Sequence, residues 1–168
     1  MRRRGLKLAS AVVLALAVSA VTAVPANAAP APDKPHCIVY DNLTEKVLTA
    51  SFTDVPPEGY SVGDLGRWDN NLISADGVIL AEAIGGSIVK YNNEEQGLGV
   101  YQWNTDTFAN GVVKEAGMTD GWALLAGEWI SIPAWGVSGK YRGLVGTRSF
   151  KRTSEDGIYQ SKLELCRR

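Results

Sequence analysis

Residues 121–146 read GWALLAGEWISIPAWGVSGKYRGLVG, and the way this stretch folds decides the architecture. It opens as an apolar run from Trp122 to Trp135, breaks at Gly136-Val137-Ser138-Gly139, and restarts as Lys140-Tyr141-Arg142-Gly143-Leu144-Val145-Gly146. Pro133 opposes a helix through the run, because it removes a backbone donor and clashes with the preceding turn. The expectation is a long strand, bent near Gly127 and Pro133, that feeds a tight turn and a second strand. Long strands with glycine at the bends are what closing a small barrel requires.

The flanking sequence repeats this grammar. Residues 37–41 read as a short strand, and residues 47–53 alternate Val47, Thr49, Ser51, Thr53 against Leu48, Ala50, Phe52. Residues 54–63 form a loop carrying Pro56-Pro57, and residues 63–71, GDLGRWDNN, are dense in turn formers. Residues 78–91 read as a long strand with Ile79, Ala81, Ala83, Gly85, Ser87 and Val89 on one face. Residues 98–108 place Tyr101 and Trp103 together, and Ala109-Asn110-Gly111 turns the chain into residues 112–116. Residues 144–152 and 158–166 make a last hairpin. The count is about eight strands, with no helix expected after the N-terminal segment, and the spacing and turn signals fit an all-β fold, either a closed eight-stranded antiparallel β-barrel or a sandwich.

That N-terminal segment is read separately. Arg2, Arg3, Arg4 and Lys7 precede an apolar run to Val24, and Ala26-Asn27-Ala28 fits the small-x-small cleavage rule. Residues 1–28 are therefore expected to be a signal peptide, residues 29–36 a Pro- and Ala-rich leader, and residues 37–168 the barrel domain. The protein is expected to be secreted. Cleavage would leave 13 Lys and Arg against 18 Asp and Glu, a charge near −5. With no basic cluster, neither nucleic acid nor, after cleavage, a membrane is an expected partner. Two cysteines, Cys37 and Cys166, stand near the two ends of the mature chain. In an exported protein they are most simply a disulfide joining the first strand to the last.

Much chemistry is excluded. His36 is the only histidine and lies at the edge of the first strand, so neither a Ser-His-Asp triad nor a His-built metal site is expected. Phosphate-loop and dinucleotide fingerprints are missing, and no cofactor and no metal is expected. What stands out is aromatic: five tryptophans and six tyrosines in 168 residues. Trp68, Tyr101, Trp103, Trp129 and Tyr141 are the candidate lining of a cavity for a small hydrophobic molecule.

Two segments carry a family resemblance. Gly63-Asp64-Leu65-Gly66-Arg67-Trp68-Asp69-Asn70-Asn71-Leu72 resembles the G-D-L-x-x-aromatic-x-N-x-L segment of plant allene oxide cyclases. Gly136-Val137-Ser138-Gly139-Lys140-Tyr141-Arg142-Gly143-Leu144-Val145-Gly146 resembles the G-G-T-G-x-F-x-G-A-x-G segment shared by those cyclases and dirigent proteins. The resemblance implies an eight-stranded barrel with an apolar lumen, often assembled as a homo-oligomer such as a dimer or trimer. It implies catalytic roles for Asn70, holding a water on a substrate oxygen, and for Asp41, as the acidic residue of the first strand. Leu43 stands where the family's second asparagine would fall. Bacterial members of this group fold polyene or polyketide substrates, so a cofactor-independent cyclase or stereocontrolling protein for a polyketide-, lipid- or phenol-derived substrate is expected. A secreted, non-catalytic binder of hydrophobic molecules is the alternative.

Overall fold

The computed structural model describes residues 36–167; the expected signal peptide and nearly all of the leader lie outside the described residues. Eight antiparallel strands follow one another around a closed barrel. They are β1 (Cys37–Thr53), β2 (Leu65–Ile73), β3 (Ile79–Asn93), β4 (Gly97–Phe108), β5 (Gly111–Asp120), β6 (Ile130–Gly136), β7 (Val145–Arg152) and β8 (Ile158–Cys166). The seam closes between β1 and β8, where Cys37 stands opposite Cys166 and the two form a disulfide. The bond spans 129 positions, and closing so long a loop restricts the unfolded chain by roughly 4–5 kcal/mol in the chain-entropy account.

Three sequence expectations give way. The run from Trp122 is not one bent strand: residues Gly121–Leu125 form a short helix, α1. Asp120 is its N-cap, and its carboxylate accepts hydrogen bonds from the amides of Trp122 (2.9 Å) and Ala123 (3.2 Å). Gly127, at φ +78°, provides the left-handed residue that ends it. Strand β6 begins only at Ile130. Pro133, with no amide hydrogen, lies in β6, and the β5–β6 ladder stops one residue before it, at Glu115 opposite Ala134.

Lys140-Tyr141 does not restart a strand either, since Gly139–Tyr141 is a 3₁₀ turn that tucks Tyr141 fully inside. Gly139 has φ +59°, and a Cβ there would collide with the Asn110 backbone, so both conformation and space require glycine. Finally, the turn-rich GDLGRWDNN is mostly β2. Turn chemistry is confined to Asp64, whose carboxylate accepts from the amides of Val55 (2.8 Å) and Ser61 (2.7 Å). The remaining polar residues, Arg67, Asp69 and Asn71, alternate with Gly66, Trp68, Asn70 and Leu72.

The register divides the interior into levels. At the end holding the disulfide the barrel is plugged by Leu72, Phe108, Val113, Tyr141, Leu163 and Leu165. Tyr40 stacks on Phe108 at 5.4 Å, and Phe108 lies 5.0 Å from Tyr141. Burying such rings contributes about 1.5–3 kcal/mol each, so this plug anchors the fold. The opposite end is open. Its rim carries Phe52, the loop from Asp54 to Asp64, and α1. Among the described residues no helix is long and apolar enough to cross a membrane.

Candidate functional site

A cavity of about 610 Å³ runs from the open rim down towards the plug. Its upper wall is largely apolar, with Val47, Leu65, Val89, Val100, Ile132 and Phe150. Trp68 joins that wall because Gly85, opposite it on β3, has no side chain. A Cβ on Gly85 would come within 3.0 Å of the Trp68 indole nitrogen, the Asn104 amide oxygen and the Trp103 carbonyl.

The polar cluster of the wall is carried at mid-barrel by inward positions of five strands. Arg148 of β7 is 1% exposed and sits at its centre. Its Nη2 donates to Glu45 Oε2 of β1 at 3.0 Å, and its Nη1 to Asp106 Oδ2 of β4 at 3.3 Å. Glu115 Oε1 of β5 lies 3.8 Å from the same Nη1. Amides flank the cluster. The Asn70 amide donates to Glu45 Oε1, and the Asn104 amide donates to Asp106 Oδ1 at 2.9 Å. Glu45, Asn70, Asn104, Glu115 and Arg148 all line the cavity.

Three carboxylates against one guanidinium is an unbalanced count for so dry a place. Burial is the main reason that Glu115 is held well above the usual carboxylate range, and the neighbouring Asp106 pushes in the same direction. Burial also raises Glu45, against the pull of Arg148. Burial alone would lower the Arg148 value, but Glu115, Glu45 and Asp106 together hold it above its ordinary range. At neutral pH Arg148 is thus a fixed cation, and Glu115 is the group best placed to keep a proton. Several atoms here are buried without a hydrogen-bond partner among the described residues: Asn70 Oδ1, Asn104 Oδ1, Glu115 Oε1 and Arg148 Nε. Buried polar atoms are rarely left so, and each has hydrogen-bonding capacity the fold does not use.

The residues expected from sequence are distributed unevenly. Trp68 and Asn70 line the cavity. Trp103 borders it, but its ring packs over Gly86 on the outer face, 6.2 Å from Tyr101. Trp129 is half exposed on the outside, with the ammonium groups of Lys151 and Lys162 at 5.3 and 5.5 Å from its ring. Tyr141 belongs to the plug and bonds the Tyr40 hydroxyl at 2.8 Å. Asp41 is exposed at the β1 bulge and faces an outer groove with Val39, Thr147, Lys162 and Glu164. The inward acidic residue of β1 is Glu45, in contact with Asn70.

Sequence reading missed Glu45, Asn104, Asp106, Glu115 and Arg148. The available clue was parity. In Leu98, Val100, Gln102, Asn104, Asp106 and Phe108, apolar ends bracket three polar residues on one face of β4.

Known proteins share this architecture. A solved structure described as a nonspecific heme-binding cyclase, which catalyses a 4 + 2 cycloaddition during neoabyssomicin biosynthesis, is 29% identical with a TM-score of 0.74. The match covers 81% of this chain and 66% of that one. The Diels-Alderase AbmU of Streptomyces koyangensis is 30% identical with a TM-score of 0.71, over 77% of this chain and 63% of that one. This chain therefore spans about two thirds of the length of either. The exo-specific intermolecular Diels-Alderase AbnU, at 21% identity and a TM-score of 0.73, shares the fold over 79% of this chain and 98% of its own. Comparison with curated protein sequences returned no match. The model of the allene oxide cyclase barrel-like domain matches residues 44–165, from Thr44 in the first strand to Leu165 in the last, and the chain belongs to that family.

Proposed function

We propose that this protein is an exported, cofactor-independent cyclase that holds a small hydrophobic substrate in one reactive conformer. The observation that carries the reading is the cavity itself. It is large enough for a drug-sized molecule, open at one rim, largely apolar in its walls, and carries a buried polar cluster where Arg148, Glu115, Asn70 and Asn104 converge. Ring closure of a flexible chain is limited largely by the improbability of the folded conformer, and a shaped wall removes that entropic barrier. A few fixed dipoles in a dry site then stabilise the redistribution of charge as the new bonds form. No group needs to leave and no electron acceptor is consumed. The two relatives at 29% and 30% identity, both described as cycloaddition catalysts, support the same class of reaction. Within it we assign the role of acidic residue of the first strand to Glu45 rather than Asp41, with Asn70 as its amide partner.

The test is to supply linear polyene ketones that carry a diene and an activated alkene. Ring formation and the ratio of stereoisomers are measured with and without protein. Acceleration with one isomer dominant is expected, and Asn70→Ala should reduce it while Asp41→Ala should not. Equal rates and equal isomer ratios with and without protein, across substrates that demonstrably bind, would replace catalysis by storage of a hydrophobic molecule. Export is tested separately by N-terminal sequencing of protein recovered from culture medium, which should begin at Ala29.

A further inference from the structure

The cyclase reading leaves open what kind of molecule the cavity selects, and the mid-barrel cluster bears on that. We propose that its substrates are uncharged molecules with a carbonyl-type oxygen at the buried end, received by the Glu115 carboxyl as hydrogen-bond donor. The proposal rests on the cyclase reading of the same cavity and narrows it.

An anionic end group would need a free cation. Arg148 is the cluster's one cation, and its two terminal nitrogens already serve Glu45 and Asp106 at 3.0 and 3.3 Å. An added carboxylate would be a fourth acidic group around a single guanidinium. An ammonium end group would need an ionised carboxylate of its own. Burial favours the neutral forms of Glu115 and Glu45, and Asp106 is already paired with Arg148, which is 1% exposed and has little water to screen its repulsion of a second cation.

A neutral carbonyl fits what is vacant. Glu115 Oε1 is without a hydrogen-bond partner and its residue is only 2% exposed. Glu115 lines the cavity, and with its proton in place its carboxyl is a donor for which Asp106 and the carbonyl oxygen of a guest compete; Arg148 Nε is a second unused donor. The free Asn70 and Asn104 oxygens can accept from the enol or hydroxyl form of the same group. The burial that keeps the proton on Glu115 is therefore what makes it a donor. The consequence for reactivity is direct. A hydrogen bond to the carbonyl of a conjugated alkene draws electron density from that alkene, and it strengthens as negative charge grows on oxygen in the transition state. Apolar contacts with Trp68, Val100 and Phe150 hold the remainder of the molecule above.

Four naphthalenes that differ only in one substituent test this on the intact, oxidised protein: naphthalene, 2-acetylnaphthalene, 2-naphthoate and 2-(aminomethyl)naphthalene as its ammonium. Dissociation constants are measured by equilibrium dialysis near pH 6. The ketone is expected to bind roughly fivefold tighter than the parent hydrocarbon and at least about tenfold tighter than either ion, as one buried hydrogen bond and one uncompensated charge imply. Its advantage over the hydrocarbon should fade as pH rises and Glu115 ionises. The advantage should vanish in Glu115→Leu and persist in Glu115→Gln, whose amide still donates. Tightest binding by the naphthoate would make Arg148 an anion receptor, and tightest binding by the ammonium would mean an ionised cluster; either overturns the proposal. Equal binding of ketone and hydrocarbon also overturns it, while leaving the cyclase reading intact. Failure of all four to bind would remove the open apolar cavity on which both readings stand.

Discussion

Replacing Arg148 with methionine removes the guanidinium and keeps much of the side chain's bulk. What then fails is electrostatic. Glu45 and Asp106 lose partners at 3.0 and 3.3 Å, and Glu115 loses a cation at 3.8 Å. Breaking a buried pair by removing one member costs about 3–5 kcal/mol. The stranded Glu45 carboxylate can escape by taking up a proton. For a group with an ordinary value near 4.3 that costs about 1.4 kcal/mol for each pH unit above it, hence about 4 kcal/mol near pH 7.5 and about 1 near pH 5. The expected loss for Arg148→Met is therefore about 3–5 kcal/mol near pH 7.5, shrinking to about 1–2 near pH 5. Urea unfolding followed by tryptophan fluorescence, with the disulfide intact, measures both. A loss of the same size at the two pH values would mean that Arg148 acts by packing. A loss below about 1 kcal/mol near pH 7.5 would mean that the carboxylates do not depend on it.

Glu115→Gln should act in the opposite sense. The folded state holds the Glu115 proton more tightly than the unfolded chain, so that contribution to stability is complete below about pH 4.3 and is lost as pH rises towards the folded value. The amide removes this slope, and urea midpoints should show a gain on the order of 1–2 kcal/mol over the parent at pH 8 but not at pH 4.5. Gly85→Val should drive the new side chain into Trp68 and Asn104, lowering stability by about 1–3 kcal/mol and shrinking the cavity; reduced uptake of 2-acetylnaphthalene, together with a lower melting temperature, checks it. The double change Cys37→Ser and Cys166→Ser should cost about 2–5 kcal/mol by the same urea assay, because it frees the seam between β1 and β8.

The strands were largely legible because their cause is local. Ile158–Cys166 alternates buried Leu163 and Leu165 with exposed Lys162 and Glu164, and period-two alternation is visible in a window of a few residues. Strand β2 was obscured because its outward positions, Arg67, Asp69 and Asn71, are the residue types that also make turns. Helix α1 was obscured because Trp122–Leu125 is apolar enough for either structure; the Asp120 cap and Gly127 at the end, not the run itself, select helix. The site was legible only for Trp68 and Asn70, which lie inside a recognisable motif. Glu45, Asp106, Glu115 and Arg148 come from four strands and meet only because the barrel closes. Their spacing in sequence, up to 103 positions for Arg148 and Glu45, contains no trace of that meeting.

The location of the cluster argues that it is there for something other than folding. The plug beneath it, from Leu72 to Leu165, shows that this barrel can fill an interior level with hydrocarbon where it needs to. One level higher, it places a guanidinium and three carboxyl groups instead, and leaves several of their hydrogen-bonding atoms unused. Apolar residues of similar volume in place of a buried ionic group are often neutral or stabilising. A barrel shaped by stability alone would continue the plug upward. The polar groups lie at the boundary between plug and void, at the depth that the buried end of a guest entering from the rim would reach. There the same unsatisfied atoms that cost the empty protein free energy become the contacts that a bound molecule can satisfy.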